Sequence, residues 1–306
     1  MAAIEVQDLF KSYGTFSAVR GISFQVQEGE VFALLGPNGA GKTTTLEILE
    51  GHRQRSGGRV SVLGVDPETG GRTFRERIGI VLQSAGTDAE LSVAEVLSLY
   101  AGLYPRSLAV ADVIALVGLQ EKRGARVKTL SGGQRRRLDL ALALVGDPDL
   151  IFLDEPTTGF DPAARRGAWQ LVEDLRGVGR TIVLTSHYMD EVQHLADSAV
   201  VLADGRVVAA GRPDALGTEN PRETVIPFRS FDPDTTRHQL PDDLRALVSS
   251  QDGEVVLRTP DPTRVLLQLC GWAVARNLKL RSLQVERPSL EDVYLQLTES
   301  DPDEHQ

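Results

Sequence analysis

The sequence predicts an α/β fold: a mostly parallel sheet with helices on its faces, an antiparallel β segment ahead of it, an inserted helical stretch, and a smaller α/β unit toward the C-terminus. Three observations carry this prediction. Short continuous apolar runs, "VFALLG" at 31–36, "LIFLDEP" at 150–156 and "RTIVLTSH" at 180–187, recur between segments of helical periodicity, the habit of buried parallel strands. Residues 1 to about 30 alternate apolar and polar instead, as antiparallel strands with one solvated face do. From about 88 to 145 the apolar spacing turns helical.

Taken in order, "AIEVQDLFKSYG" and "GISFQVQEGE" are the alternating strands, broken by polar turns and Gly29. "VFALLG" follows, then a glycine-rich turn and a helix from about 42 to 50. "GRVSVLG" and "RIGIVLQ" are further strands. "LSVAEVLSLYAGLY", "SLAVADVIALVGL" and "GGQRRRLDLALALVG" form the inserted helical subdomain, with Leu138, Leu142 and Val145 on one face of the last helix. β structure returns with "DLIFLDEP", a helix at about 162–177, "RTIVLTSH", a helix at 188–196 and "SAVVLADGRVVAAG".

The Gly- and Pro-rich stretch "GRPDALGTENPRE" marks a linker. The expected division is a domain over 1–215, a linker over 216–223, an extension over 224–299 and an acidic tail over 300–306. Within the extension the pattern is strand "TVIPFRS", a helix at about 240–249, strand "EVVLRT", a helix at 262–277, strand "LKLRSLQVE" and helix "SLEDVYLQLT".

A net charge of −10 disfavours general binding to nucleic acid, where phosphate neutralisation dominates affinity. One cysteine, Cys270, excludes an internal disulfide, and its apolar helical setting suggests a small core residue. The N-terminal residues lack a basic segment with an apolar run behind it, and no apolar run approaches the roughly 18 residues of a membrane span. The expectation is a cytoplasmic chain that any membrane work must reach through a partner.

The chemistry gathers at strand ends. Residues 36–43 fit G-x-x-x-x-G-K-[ST] between a predicted strand and a predicted helix. Glycines there let backbone N–H groups curl round phosphate oxygens, so Gly36, Pro37, Asn38, Gly39, Ala40 and Gly41 form the cradle. Lys42 is placed to reach the β- and γ-phosphates, Thr43 to offer its hydroxyl to Mg²⁺, and Thr44 to touch the α-phosphate. Asp154, after four apolar residues, is the carboxylate for the metal. Pro156 stops that strand, leaving Glu155 to face the γ-phosphate and polarise a water; a solvated acid beside a turn is the plain alternative.

His187 ends another strand on the same edge, where ligands of parallel sheets collect. Gln83 ends "RIGIVLQ", where its neutral amide can coordinate Mg²⁺ or a water and link the nucleotide to the inserted helices. "LSGGQRRRLDLAL" opens a second helix with a bare polar start. Helix N-termini collect anions. Since the first phosphate loop already serves one nucleotide, Ser131, Gly132, Gly133 and Gln134 are assigned to the γ-phosphate held by another copy. Arg135, Arg136 and Arg137 fan round that helix as solvated or paired surface, adding positive potential.

Together these stretches resemble the ATP-binding subunit of an ABC transporter: Walker A "GPNGAGKTT", the Q-loop at Gln83, the signature "LSGGQ", Walker B "LIFLDE", the D-loop "TGFD" ending at Asp161 and the switch His187. The resemblance covers residues 4 to about 211. It implies a P-loop NTPase core of the ABC ATPase type, ATP hydrolysis with Mg²⁺, a homodimer, and an integral membrane permease as partner, with the chain peripheral on the inner face of the cell membrane. Tyr13 resembles the family's adenine-stacking aromatic. "LEGHRQRSGGRVSVLGVDP" and "RPSLEDVYLQLTE" are similar to the daunorubicin-resistance type of exporter ATPase. "TGFD" and "SAGTDAELSVAEVL" depart from the commoner forms. The rivals are a soluble ABC ATPase of translation or repair, and a resistance protein that sequesters a compound.

Overall fold

The computed structural model describes residues 2–81, 88–158, 160, 162–216, 224–229, 239–251 and 254–285. The chain divides into two compact units, Met1–Pro213 and Asp214–Gln306.

In the first unit, β1 (Ala2–Tyr13), β2 (Phe16–Gln27) and β4 (Gly57–Val62) form an antiparallel sheet in the order β2-β1-β4. Alternation along β1 and β2 puts Ile4, Val6, Leu9, Val19, Ile22 and Val26 on the buried side. β3 (Val31–Leu35) is buried at every residue, as its unbroken apolar run requires. It stands in a six-stranded sheet ordered β5-β6-β7-β3-β8-β9, with β5 (Ile78–Val81), β6 (Leu150–Leu153), β7 (Thr181–Ser186), β8 (Ser198–Ala203) and β9 (Arg206–Gly211). All pairings in it are parallel except β8–β9, so the expected parallel sheet carries an antiparallel edge. "SAVVLADGRVVAAG" is a hairpin: Asp204 and Gly205 both adopt positive φ at its tip, the geometry that suits the strand twist.

Helix α1 (Lys42–Leu49) packs with both sheets. Leu46, Ile48 and Leu49 share one core with Ile4, Leu9, Val60 and Val62 of the antiparallel sheet and with Phe32, Leu34, Phe152 and Val183 of the parallel one. Phe24 and Phe32 stack across the layers at 5.2 Å between ring centroids. A short helix, α2 (Gly71–Arg75), precedes β5.

The helical insertion contains α3 (Val93–Ala101), α4 (Val110–Leu116) and α5 (Gly132–Leu144). Ser92 and Glu95 form a capping box at the start of α3. Leu138, Leu142 and Val145 are all buried, and so is every residue from Leu138 to Leu144, because this half of α5 lies on β5 as well as among helices. Gly79 permits that approach: a Cβ there would sit 2.4 Å from the Ala143 carbonyl oxygen. α6 (Pro162–Gly177) and α7 (Met189–Leu195) return the chain to β7 and β8.

In the second unit, β10 (Thr224–Phe228), β11 (Val248–Gln251) and β12 (Glu254–Thr259) pair antiparallel in the order β10-β12-β11. The segment after helix α9 (Pro262–Ala275) returns to β10 through one antiparallel bridge, Arg229 to Arg281. The resulting order is that of a split βαβ unit. The core is Ile226, Phe228, Leu240, Leu244, Val255, Leu257, Val265, Leu269, Trp272 and Ala273.

Three expectations fail here. The helix expected over 240–249 is only α8 (Asp242–Arg245), because Val248–Gln251 pairs with β12 instead. "LKLRSLQVE" contributes a single bridge rather than a full strand among the described residues. Cys270 is exposed: α9 buries Val265, Leu269, Trp272 and Ala273, and residue 270 lies off that stripe. "SLEDVYLQLT" and the tail lie outside the described residues.

Candidate active site

β6, β7 and β3 are neighbours, and the turns beyond their C-terminal ends hold Asp154 and Glu155, His187, and the 36–43 loop. The site therefore follows from strand order. Gly41 caps α1 at φ 96°, and a Cβ there would lie 2.5 Å from the Ala18 carbonyl oxygen, so only glycine turns the loop into the helix. α1 has no side-chain cap, which leaves its first amides directed into the loop. A cleft of about 240 Å³ is lined by Asn38, Gly39, Gly41, Lys42, Thr43, Thr44, Tyr13 and Glu155. Gly36 and Pro37 are not in that lining, and their carbonyls accept from Lys42; Ala40 packs in the core. Phe16 and Ala18, which the motifs do not single out, complete the lining.

Lys42 Nζ donates to the Gly36 carbonyl at 2.8 Å and the Pro37 carbonyl at 3.0 Å, and stands 3.6 Å from Glu155 Oε1. Burial pushes its pKa below the ordinary lysine value, against the opposing pull of Glu155 and Asp154. Glu155 is the anion beside this buried ammonium.

Asp154 Oδ1 accepts from Thr185 Oγ1 at 2.5 Å, and Thr185 Oγ1 accepts the Glu155 N–H at 2.9 Å. Glu155 has φ 45°, the left-handed region that a glutamate adopts only when neighbours hold it there. The turn ends the strand one residue before Asp154, so both carboxyl groups belong to the sheet's edge. Glu155 Oε2 accepts from Thr158 Oγ1 at 3.0 Å, and Oε1 lies 3.4 Å from His187 Nδ1, off hydrogen-bond alignment. Burial alone would raise the Glu155 pKa; the Thr158 hydroxyl, Lys42 and His187 outweigh it and hold the carboxyl below its ordinary value. A carboxylate so held stays ionised at neutral pH.

Thr43 and Asp154 supply one hydroxyl and one carboxylate. Thr43 lines the cleft and Asp154 stands just past the end of β6, and a hydroxyl and a carboxylate are the hard oxygen donors that Mg²⁺ takes.

The second helix start lies elsewhere. Ser131 Oγ accepts the Gln134 N–H at 3.3 Å and Gln134 Oε1 accepts the Ser131 N–H at 3.0 Å, a reciprocal cap. This helix start is thus less bare than its glycines suggest: two amides are satisfied, while Gly132 and Gly133 stay exposed. Ser131, Gly133 and Gln134 line a separate cleft of about 520 Å³ with Arg136, Arg137, Leu140 and Phe160. It shares no residue with the phosphate-loop cleft. Arg136 is half-buried, and burial holds its pKa below the ordinary value. Asp139, one turn on, is buried and pushed up to about 6.

Tyr13 is 40% exposed, with Lys11 Nζ 4.9 Å and Arg53 Cζ 5.3 Å from its ring centroid. Gln83 and Asp161 lie outside the described residues. Motif reasoning missed Thr157, Thr185, Ser186 and Glu191, which hold the carboxylate and histidine turns together. The hydroxyls in "PTT" and "LTS" beside the motif residues were the available signal.

A phosphate loop, an acidic strand end and a histidine on one edge of a parallel sheet define a P-loop nucleotide hydrolase. Residues 19–158 match the family described as ABC transporter, and residues 224–289 match an ABC transporter domain-containing protein-like C-terminal domain. The Nod factor export ATP-binding protein I of Rhizobium johnstonii is 41% identical over 303 residues, covering 97% of this chain and 94% of that protein. Its counterpart from Burkholderia orbicola is 39% identical over 307 residues, covering 97% of each. Among solved structures, cbiO1 of Clostridium perfringens, part of the ABC transporter complex cbiONQ, aligns with TM-score 0.65 and 29% identity over 72% of this chain and 92% of that one. A dimeric ATP-binding cassette in a post-hydrolysis state with ADP and Pi shares the fold, at TM-score 0.61 and 23% identity over 68% of this chain and 98% of that one.

The chain belongs to the ABC transporter family, as an ATP-binding subunit. It is an ATPase of the exporter kind, and neither the translation or repair reading nor the sequestering one is favoured. Among the described residues no helix is long and apolar enough to cross a membrane.

Proposed function

We propose that two copies of this chain bind two ATP·Mg²⁺ at a shared face and drive a separate integral membrane permease from the cytoplasmic side of the cell membrane. In each site the loop from Gly36 to Gly41 and Lys42 hold the phosphates of one copy's ATP, Thr44 contacts the α-phosphate, and Tyr13 stacks on adenine. Thr43, Asp154 and Gln83 would hold Mg²⁺, which would supply charge neutralisation to the phosphates. Ser131, Gly132, Gly133 and Gln134 of the second copy close on the γ-phosphate, with Asp161 at the contact. Glu155 orients or deprotonates the attacking water, and His187 donates to the γ-phosphate. Phosphoryl transfer then rests on positioning and charge stabilisation.

The observation that carries this reading is the place of Glu155, within 3.6 Å of Lys42 and 3.4 Å of His187 while the signature serine lines a different cleft. These positions support the reading of two half-sites in one chain. We further propose the domain division 1–215, 216–223, 224–299 and 300–306, and membership of the daunorubicin-resistance type, on the strength of "RPSLEDVYLQLTE" and the C-terminal extension. The transported compound is proposed to be drug-, antibiotic- or lipid-like.

Glu155→Gln is the direct test. It keeps the shape of the site and removes the base. ATP binding should persist and a closed dimer should accumulate, with hydrolysis reduced by about 10²- to 10³-fold. Near-normal turnover would remove Glu155 from the role.

A further inference from the structure

Glu191 is a buried acid that the reaction as proposed does not use. It is 1% exposed, sits on α7 one turn beyond His187, and accepts three hydrogen bonds. Thr157 Oγ1 donates to its Oε1 at 2.8 Å, Trp169 Nε1 to the same oxygen at 3.2 Å, and Ser186 Oγ to Oε2 at 2.6 Å.

Two of those donors flank the chemistry. Thr157 stands two residues past Glu155, next to Thr158, whose hydroxyl bonds Glu155 Oε2. Ser186 immediately precedes His187, and its oxygen also accepts the Tyr188 N–H at 2.9 Å, so it grips the turn on both sides of the histidine. One carboxyl group therefore joins the turn that bears Glu155 to the turn that bears His187. Across the same gap Glu155 Oε1 and His187 Nδ1 stand at 3.4 Å without hydrogen-bond alignment, whereas the bonds through Glu191 are aligned. Burying an acid is costly unless donors meet it, and here two of the three donors fix one turn against the other.

We propose that Glu191 is a positioning residue that sets the spacing of Glu155 and His187, and so the place of the attacking water, without touching nucleotide. The inference rests on the roles proposed above for those two residues. Sub-ångström placement governs rate more than affinity in such a site.

The test uses the full chain and four variants: Thr157→Val, Glu191→Ala, Trp169→Phe and His187→Ala, with Glu191→Ala also combined with His187→Ala. Thr157→Val is nearly isosteric. It and Glu191→Ala should lower kcat by about tenfold or more, with ATP affinity held within about threefold. Trp169→Phe removes a donor from the same carboxyl but touches neither turn, and should leave kcat within about twofold.

In the His187→Ala background, Glu191→Ala should have little further effect, because both changes remove one coupled arrangement. A merely structural Glu191 would instead lower kcat by the same factor in both backgrounds, or would make Trp169→Phe as harmful as Thr157→Val. Either result overturns the inference, as does a folded Thr157→Val chain with wild-type kcat. Should Glu191→Ala fail to fold, the Thr157 and Trp169 contrast decides alone. A wild-type chain that hydrolyses no ATP, or a Glu155→Gln chain with normal turnover, would strike the underlying reading, and the inference with it.

Discussion

Glu50 shows how much one buried side chain can couple to its surroundings. It follows α1, is 5% exposed, and its pKa is pushed up to about 8 by burial first, then by the charges of Asp154 and Glu47. His52 Nδ1 lies 3.2 Å away. Because the folded-state pKa lies above the ordinary 4.5, the folded chain keeps a proton that the unfolded chain releases. That contribution is complete at low pH and is lost as pH rises through about 8. Denaturant unfolding of the nucleotide-free protein should show stability falling with pH relative to Glu50→Gln, by up to ~1.4 kcal/mol per pH unit. A difference between the two chains that stays flat with pH would show Glu50 to be ionised throughout.

At this scale the motif residues were legible and their keepers were not. Asp154, Glu155 and His187 stand at strand ends that hydrophobic runs announce, and Lys42 at a helix start that a glycine-rich loop announces. Thr185 and Glu191 act on partners about thirty positions away, at a separation no local pattern encodes. Cys270 was misread because an apolar helix has an outward face as well, and only packing says which residues occupy it.

Among elements, α5 has two duties. Its N-terminus carries the signature, and its C-terminal half lies on β5 across Gly79. Gly79→Ala would push a methyl against the Ala143 carbonyl oxygen, which cannot yield as a side-chain tip can. The expected cost is ~1–3 kcal/mol of stability by denaturant titration, together with weaker ATP-driven dimerisation as the signature shifts. A variant as stable as wild type would mean that the helix slides freely on the strand. α6 and α9 were legible because their apolar faces repeat over about two turns, and α1 and α5 because glycine-rich turns announce their starts. Residues 240–249 misled for the opposite reason. Leu240 and Leu244 satisfy a helical spacing, but Val248–Gln251 gains a strand partner in β12, and tertiary pairing overrides weak local preference.

On the scale of the whole molecule, the separate clefts of the phosphate loop and the signature predict complementation. Lys42→Ala disables the loop half and Ser131→Arg the signature half, so each variant alone should be nearly inactive. Mixed in equal amounts, they should recover up to about a quarter of wild-type ATPase activity, since half of randomly paired dimers carry one intact composite site of two. No recovery on mixing, with dimers present, would refute the shared site.

The amino-acid sequence by itself determined the class of fold, the family and the candidate phosphate-loop residues, because phosphate binding needs glycines, a lysine and hydroxyls at fixed short spacings. Only the tertiary structure decided that β6, β7 and β3 lie side by side, that Glu155 turns through a left-handed backbone, and that a buried Glu191 couples two turns far apart in the chain. Spacing along a chain constrains what neighbours in sequence can do together. Which distant side chains become neighbours is settled by the order of strands in a sheet and by the need of every buried polar group for a partner.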